Sequence, residues 1–232
     1  MPDLQWKDFA AREELDRQLA DDVAAQLRDA ISLRGSASLV LSGGSTPKGF
    51  LRMLAGCELD WSKLTVTLAD DRWVPPEHAD SNERLVRENL LVGPAADAVF
   101  IALVNEESHP SGAEEAIEDR LAHLGTADVM ILGMGGDGHF ASLFPDSTTL
   151  REGLDLANPN SVIAVDPPVA PHARMSMTLR RIFDCRLLIL HIVGQDKRDI
   201  VHAALHTGDP EVLPIAAVLR SEAPAPVIYW AP

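Results

Sequence analysis

Hydrophobic and polar positions alternate along the chain with two different spacings. Between Leu15 and Ile31, apolar residues recur every four positions with charged residues between them, which predicts an amphipathic helix. Later apolar residues come in short continuous runs bounded by glycine, proline or charged residues, a pattern typical of buried strands. Strands are predicted at 38–41, 64–69, 128–132, 162–165, 187–193 and 227–230, and a further apolar run lies at 99–103.

Helical patterns separate most of these strands. Helices are predicted at 81–91, 113–124, 196–205 and 211–219, and another is expected to start at Pro47 with Thr46 as its cap. Apolar strands that alternate with helices favour an α/β protein whose parallel sheet is covered on both faces. The chain contains no internal repeat and no low-complexity linker, so a single domain spanning residues 1–232 is expected.

Composition and charge narrow the function classes. The chain is 46% apolar and 24% charged, as is typical of soluble globular proteins. Its net charge of −15 argues against nucleic acid as a partner, although a small phosphate ester needs only a local group of donors. Cys57 and Cys185 stand in no disulfide or zinc motif. We expect a cytoplasmic protein without a membrane partner, because neither a secretory signal nor a long apolar run is recognisable.

The predicted strand 128–132 runs into a glycine-rich segment that contains Asp137 and His139. Ligands of open parallel sheets bind at the carboxyl ends of the strands, so this segment is a candidate active site. An imidazole in water titrates near pH 6.5, and His139 is therefore a candidate general base. Asp137 would orient that ring, bind substrate or satisfy loop amides. No second histidine or cysteine lies near His139 at ligand spacing, so no metal is expected there.

A second candidate segment, Gly43-Gly44-Ser45-Thr46, joins a strand to a helix. Backbone N–H groups at a helix start and two hydroxyls can bind an anion. The spacing fits neither a P-loop nor a dinucleotide fingerprint, and Pro47 is incompatible with a nucleophile elbow. An ordinary capped turn is the alternative interpretation.

Charged residues follow other predicted strands. Asp70-Asp71-Arg72 places two carboxylates and a guanidinium after strand 64–69, where adjacent acids can divide roles if their environments differ. Arg174 and Lys197 are candidate phosphate ligands in an otherwise acidic chain. For all of these residues, solvated surface charge is the alternative. Most of the other histidines, His78, His172 and His191 among them, are expected to be surface or core residues.

Together these segments resemble the 6-phosphogluconolactonase family. The matching segments are 42–47, 70–75 followed by Ser81-Asn82, 133–145, 174–179 and 194–197, in the order that the family has them. Segment 133–145 is the most specific of them. One departure concerns Asp71, because the family usually has Asp-Glu-Arg where this chain has Asp-Asp-Arg. The role of Asp71 stays open.

The resemblance implies a Rossmann-like three-layer α/β/α sandwich with a mostly parallel sheet. It also implies hydrolysis of 6-phospho-D-glucono-1,5-lactone to 6-phosphogluconate in the oxidative pentose phosphate pathway, without a metal or cofactor. By this resemblance His139 activates water, and Asp70, Arg72 and Asp137 line the lactone site. The phosphate would be held by Gly43, Gly44, Ser45, Thr46, Arg174 and Lys197.

Two other functions stay open. An isomerase or deaminase acting on glucosamine 6-phosphate is the closest alternative, since it also needs a base near Asp70 and an acid near His139. The continuation Ala141-Ser142-Leu143-Phe144-Pro145 favours the lactonase, because the deaminases resembled here typically carry an acidic residue a few positions after the histidine. A sugar-phosphate sensor without catalysis would bind the ligand and show no turnover.

Overall fold

The computed structural model describes residues 4–232. Its strands and helices are β1 (Gln5–Asp8), α1 (Arg12–Arg34), β2 (Ala37–Leu41), α2 (Lys48–Ala55), β3 (Leu64–Leu68), β4 (Asp70–Arg72), α3 (Asn82–Asn89), β5 (Val99–Phe100), α4 (Glu114–Leu121), β6 (Ala127–Leu132), α5 (Leu150–Leu154), β7 (Val162–Val165), β8 (Arg174–Met177), α6 (Leu179–Phe183), β9 (Cys185–Val193), α7 (Gln195–Thr207), α8 (Ile215–Leu219) and β10 (Val227–Ala231). Among these residues, no helix is both long and apolar enough to cross a membrane.

Seven strands form one parallel sheet in the order β1-β10-β9-β6-β2-β3-β5. The strands β2 and β6 at its centre are buried along their whole length, as their continuous apolar sequences require. The amphipathic α1 packs against β2, β6 and β10 and buries Leu15, Leu19 and Leu27. The predicted α/β class with a mostly parallel sheet is confirmed.

The strand order reverses between β2 and β6. From β2 the chain adds β3 and β5 on one side, then returns to build β6, β9 and β10 on the other. The connections that leave β2 and β6 therefore diverge, and a crevice opens between them at the carboxyl edge of the sheet. The glycine-rich segments 42–47 and 133–141 are these two connections.

A second sheet was not predicted. Strands β4, β8 and β7 form a three-stranded antiparallel sheet beside the main one. Segment 162–165 is a strand, as expected, but it pairs in this small sheet and not in the parallel one. Because β4 and β8 carry charged and polar residues in place of an apolar run, hydrophobic patterning does not reveal them.

The predicted start of the second helix was wrong. Helix α2 begins at Lys48, Pro47 occupies the capping position, and no side chain caps the helix. The carbonyls of Ser45 and Thr46 instead accept hydrogen bonds from Arg12 Nη2, at 3.1 and 2.8 Å. Arg12 of α1 thus stabilises the turn before α2, whereas the Thr46 hydroxyl was expected to cap the helix. The helix predicted at 211–219 is also shorter, since α8 covers only its second half.

Candidate active site

A cleft of about 280 Å³ opens at the point where the strand order reverses. Its walls come from the ends of β2, β6 and β9, from β4 and β8 of the small sheet, and from the first turn of α7. The residues predicted from the sequence that line it are Gly43, Gly44, Ser45, Thr46, Asp70, Arg72, His139, Arg174 and Lys197. Asp137 is the one predicted site residue outside the lining, and it reaches the cleft through His139.

His139 and Asp137 form a hydrogen-bonded pair at the end of β6. The Nδ1 atom of His139 lies 2.5 Å from Asp137 Oδ1, which also accepts the backbone N–H of His139 at 3.2 Å. Burial alone would raise the pKa of Asp137, but the hydrogen bond and charge of His139 outweigh it and hold that pKa below its usual range. An ionised Asp137 fixes the proton on Nδ1, which leaves Nε2 to accept a proton.

Two neighbours hold this pair in place. A Cβ atom on Gly135 would lie 2.1 Å from His139 Nδ1 and 2.6 Å from Asp137 Oδ1, so only glycine fits there. The ring of buried Phe144 packs against the imidazole with 4.2 Å between ring centroids. The guanidinium of Arg174 lies 5.1 Å from the centroid of the same ring. Phe144 thus contacts both the candidate base and a candidate phosphate ligand.

The turn after β2 is shaped by close contact with Asn82. A Cβ atom on Gly43 would lie 1.8 Å from Asn82 Oδ1, so the approach requires glycine. The Nδ2 atom of Asn82 donates to the carbonyl of Asp70 at 2.9 Å. Gly44 has φ +92°, a conformation that side chains disfavour. Asn82 thus connects the glycine turn to the small sheet.

The side chains of β4 alternate between two surroundings. Asp70 and Arg72 line the cleft, whereas Asp71 faces away and accepts the backbone N–H groups of Asn82 and Glu83 at 2.7 and 2.9 Å. Burial raises the pKa of Asp71 to about 7, although these hydrogen bonds oppose the shift. The contacts of Asp71 make it a support for the first turn of α3, away from the cleft.

Arg72 and Arg174 are partners in the β4–β8 register, so their side chains project to the same face. Burial lowers the pKa of Arg174, and Asp70, whose Oδ2 lies 3.9 Å from Arg174 Nη1, opposes this only in part. The same Asp70 oxygen accepts a hydrogen bond from Ser142 Oγ at 2.5 Å. Lys197 has no ion-pair partner within residues 4–232. The cleft therefore holds three cations in an acidic protein.

Buried polar atoms without a protein partner are concentrated here. Of the eight such side-chain atoms in residues 4–232, five belong to side chains that line the cleft. They are Ser42 Oγ, Arg72 Nε, Asn82 Oδ1, Arg174 Nε and His191 Nε2. Because buried polar atoms are usually hydrogen-bonded, a concentration of this kind suits a polar, anionic ligand.

His191 was expected to be a surface or core residue, and it is a core residue that also lines the cleft floor. Burial lowers its pKa to about 3, so the ring is neutral. Its Nε2 lies 3.6 Å from Oδ1 of buried Asp16, whose pKa burial raises in spite of Arg12 nearby. Nothing in the sequence distinguishes His191, since it lies inside an apolar strand and belongs to none of the candidate segments. Asn82, in contrast, belongs to one of the segments that carry the family resemblance, and it was still not predicted as a site residue.

The chain is similar to known proteins along nearly its whole length. The family model described as "Glucosamine-6-phosphate isomerases/6-phosphogluconolactonase" matches residues 10–230. A 6-phosphogluconolactonase of Rhizobium meliloti is 48% identical over 92% of this chain and 93% of its own, and one of Pseudomonas putida is 44% identical over 92% and 87%. A crystal structure of a 6-phosphogluconolactonase from Shewanella baltica superposes with a TM-score of 0.96 at 38% identity, covering 100% of this chain and 99% of its own.

Proposed function

Since the chain belongs to the family of glucosamine-6-phosphate isomerases and 6-phosphogluconolactonases, we propose that it hydrolyses 6-phospho-D-glucono-1,5-lactone to 6-phospho-D-gluconate. The observation that supports this best is the position of His139. Within residues 4–232 its Nε2 makes no hydrogen bond, and its Nδ1 is held by Asp137, in a cleft that is also lined by Arg72, Arg174 and Lys197. A base and an anion site within one small cleft fit a phosphorylated substrate that water attacks.

In the proposed reaction, His139 Nε2 accepts a proton from a water molecule as that water attacks the lactone carbonyl carbon. The ring oxygen leaves as the C–O bond breaks, and the imidazolium returns the proton to it. Asp137 stabilises the charged imidazole through its 2.5 Å contact with Nδ1. Proton transfer of this kind contributes about 10²–10⁴-fold. No covalent intermediate is required.

The phosphate is proposed to bind between the β2 turn and the cations. The backbone of Gly43–Thr46 would donate hydrogen bonds, and Arg174 and Lys197 would neutralise the dianion. Asp70 and Arg72 would line the lactone ring. The oxyanion of the tetrahedral intermediate would be stabilised by N–H groups of the loops or by one of the cations.

The direct test is base uptake on freshly generated 6-phosphogluconolactone, corrected for spontaneous hydrolysis in a protein-free blank. We expect acid release far above the blank and formation of 6-phosphogluconate. Binding of the product without any acceleration would contradict catalysis and favour the sensor.

The alternative reaction, deamination and isomerisation of glucosamine 6-phosphate, is tested by ammonia release. The segment that follows His139 favours the lactonase, because residues 141–145 carry no acidic side chain, whereas the deaminases resembled here typically carry one a few positions after the histidine. We expect no ammonia above the blank from glucosamine 6-phosphate. Release of ammonia at a rate similar to lactone hydrolysis would contradict this assignment.

A further inference from the structure

Three potential metal ligands lie together at the rim of the cleft, outside its lining. His78 and Asp80 belong to the segment that follows β4, and His172 belongs to the segment that precedes β8. We propose that these three side chains bind one divalent transition-metal ion of the Zn²⁺ type. The site is separate from the proposed catalytic pair and does not depend on the reaction assigned to it.

The spacing of the ligand atoms fits such an ion. His172 Nε2 lies 3.0 Å and His78 Nδ1 3.8 Å from the same oxygen, Asp80 Oδ2. One ligand atom from each residue lies within 4.8 Å of the other two. Tetrahedral zinc with bonds of about 2.0–2.1 Å places its ligand atoms about 3.3 Å apart. The separations between ligand atoms therefore need to change by a few tenths of an ångström to at most about 1.5 Å.

The ligand types select the class of ion. Two imidazoles and one carboxylate suit Zn²⁺, Ni²⁺ or Cu²⁺, whereas Mg²⁺ and Ca²⁺ prefer ligands that are all oxygen. The side chains are also accessible, with 43% of His78, 52% of Asp80 and 28% of His172 exposed. An ion can thus enter from solvent, and water can complete its coordination.

The backbone supports the convergence of the two histidines. His172 has φ +70°, a conformation that costs energy for any residue except glycine. The two imidazole rings lie 5.2 Å apart at 76° and both border the Asp80 carboxylate. Without an ion, His172 hydrogen-bonds Asp80 Oδ2, and His78 Nδ1 accepts the backbone N–H of Asp80 at 3.1 Å. A bound ion would replace these two weaker contacts.

An ion at this site would connect the segment that follows β4 with the segment that precedes β8, and these segments adjoin Arg72 and Arg174 of the cleft. The carbonyl of Asp80 accepts a hydrogen bond from Arg72 Nη1 at 2.6 Å, and His172 lies two residues before Arg174. Because the ligands come from both segments, coordination would restrain them relative to each other. We therefore assign this site a clamping role at the rim of the cleft.

The test is a Zn²⁺ titration of tag-free, chelator-treated protein, read by competition with a chromophoric indicator. We expect one equivalent to bind in the micromolar range, a higher Tm with Zn²⁺, and no competition by Mg²⁺. With Co²⁺, visible absorption bands of a low-symmetry site should appear and be lost on addition of Zn²⁺. Wild-type binding only in the millimolar range would overturn the proposal.

Variants locate the ion. His78→Ala and His172→Ala should each weaken Zn²⁺ binding by about 10-fold or more and remove the Tm increase, while the Tm without metal shows that they fold. The controls His123→Ala, at an exposed histidine elsewhere, and Cys57→Ser should bind as the wild type does. Unchanged binding in both rim variants, or loss of binding only in His139→Ala, would place the ion elsewhere and refute this site.

Discussion

Two loops leave neighbouring parallel strands at the centre of the sheet and face each other across the cleft, yet they are built differently. The loop after β2, residues 42–47, contains no titratable side chain and offers its backbone. The loop after β6, residues 133–141, carries Asp137 and His139. The first is held by Arg12 and Asn82, and the second by the tight fit at its own Gly135 and by the ring of Phe144 just beyond it.

This difference indicates that the loop after β2 serves substrate binding and the loop after β6 serves proton transfer. A loop of backbone donors binds an anion equally well before and during a reaction, whereas an imidazole contributes only when a proton moves. Substitutions that disturb the loop after β2 should therefore raise KM, and substitutions that disturb the loop after β6 should lower kcat. The following variants test these separate roles, from the largest expected effect to the smallest.

Among variants outside the Asp137–His139 pair itself, Gly135→Ala should cause the largest loss of activity. The new Cβ would overlap His139 Nδ1 and Asp137 Oδ1, so the pair must separate. We expect kcat to fall by about 10²–10³-fold with little change in KM, measured by steady-state lactone hydrolysis. Gly136→Ala is the matched control, since its Cβ would meet only Lys197 Nζ, at 3.8 Å. Equal activities of the two variants would mean that the Asp137–His139 contact does not matter.

Arg174→Ala should act mainly on binding. The variant removes a buried cation from the cleft, and a charged hydrogen bond of this kind corresponds to about 10–100-fold in affinity. We expect KM to rise by about that factor, together with the inhibition constant of inorganic phosphate. Arg151→Ala, at a surface arginine paired with Glu211, is the control. A loss confined to kcat would assign Arg174 to the chemical step.

Arg12→Ala should have a smaller effect of the same kind, because Arg12 acts through the carbonyls of Ser45 and Thr46. We expect KM to rise by about 3–10-fold with kcat nearly unchanged. Arg17→Ala offers a matched control on the same helix, since Arg17 pairs with Glu13 and does not contact the loop. If the KM of Arg12→Ala were as low as that of Arg17→Ala, the β2 loop would keep its shape without the hydrogen bonds from Arg12.

His191 beneath the cleft should make the fold sensitive to acid. An unfolded imidazole titrates near pH 6.5, whereas burial lowers the pKa of His191 to about 3. Its contribution to stability is present above pH 6.5 and is lost as the pH falls towards 3, by about 1.4 kcal/mol per pH unit. His191→Leu keeps Arg12 and Asp16 nearby and should lose less stability between about pH 6.5 and pH 5.

Urea unfolding at several pH values measures this slope. His123→Leu, at an exposed histidine, should retain the wild-type dependence. If His191→Leu and the wild type lose stability in parallel, His191 is not a neutral buried group in the native state.

The central sheet and both loops were predictable because their signals are local. An apolar run that stops at glycines marks a strand end, and parallel strands bring their carboxyl ends to one edge. Thus segments 43–46 and 133–139 were expected to meet, and the structure places both at the cleft. The small sheet gave no such signal, since the pairing of Arg72 with Arg174 joins residues far apart in sequence.

Other parts of the site depend on tertiary contact alone. Asp16 and His191 lie on α1 and β9, and only folding brings them within 3.6 Å of each other. The rim cluster of His78, Asp80 and His172 forms in the same way, from segments on either side of the small sheet. Neither a spacing nor a composition in the sequence reveals such pairs. In contrast, once β4 is known to be a strand, the alternation of its side chains explains why Asp71 faces away from the cleft while Asp70 and Arg72 line it.

The most direct test of the central claim is the kcat of His139→Ala on freshly generated 6-phosphogluconolactone, compared with the wild type. Within residues 4–232 the imidazole hydrogen-bonds Asp137 and packs on Phe144 but makes no hydrogen bond to the β2 loop, so substrate binding should survive its removal. We predict a fall in kcat of about 10²–10⁴-fold with KM nearly unchanged. A kcat close to that of the wild type would contradict the assignment of His139 as the base.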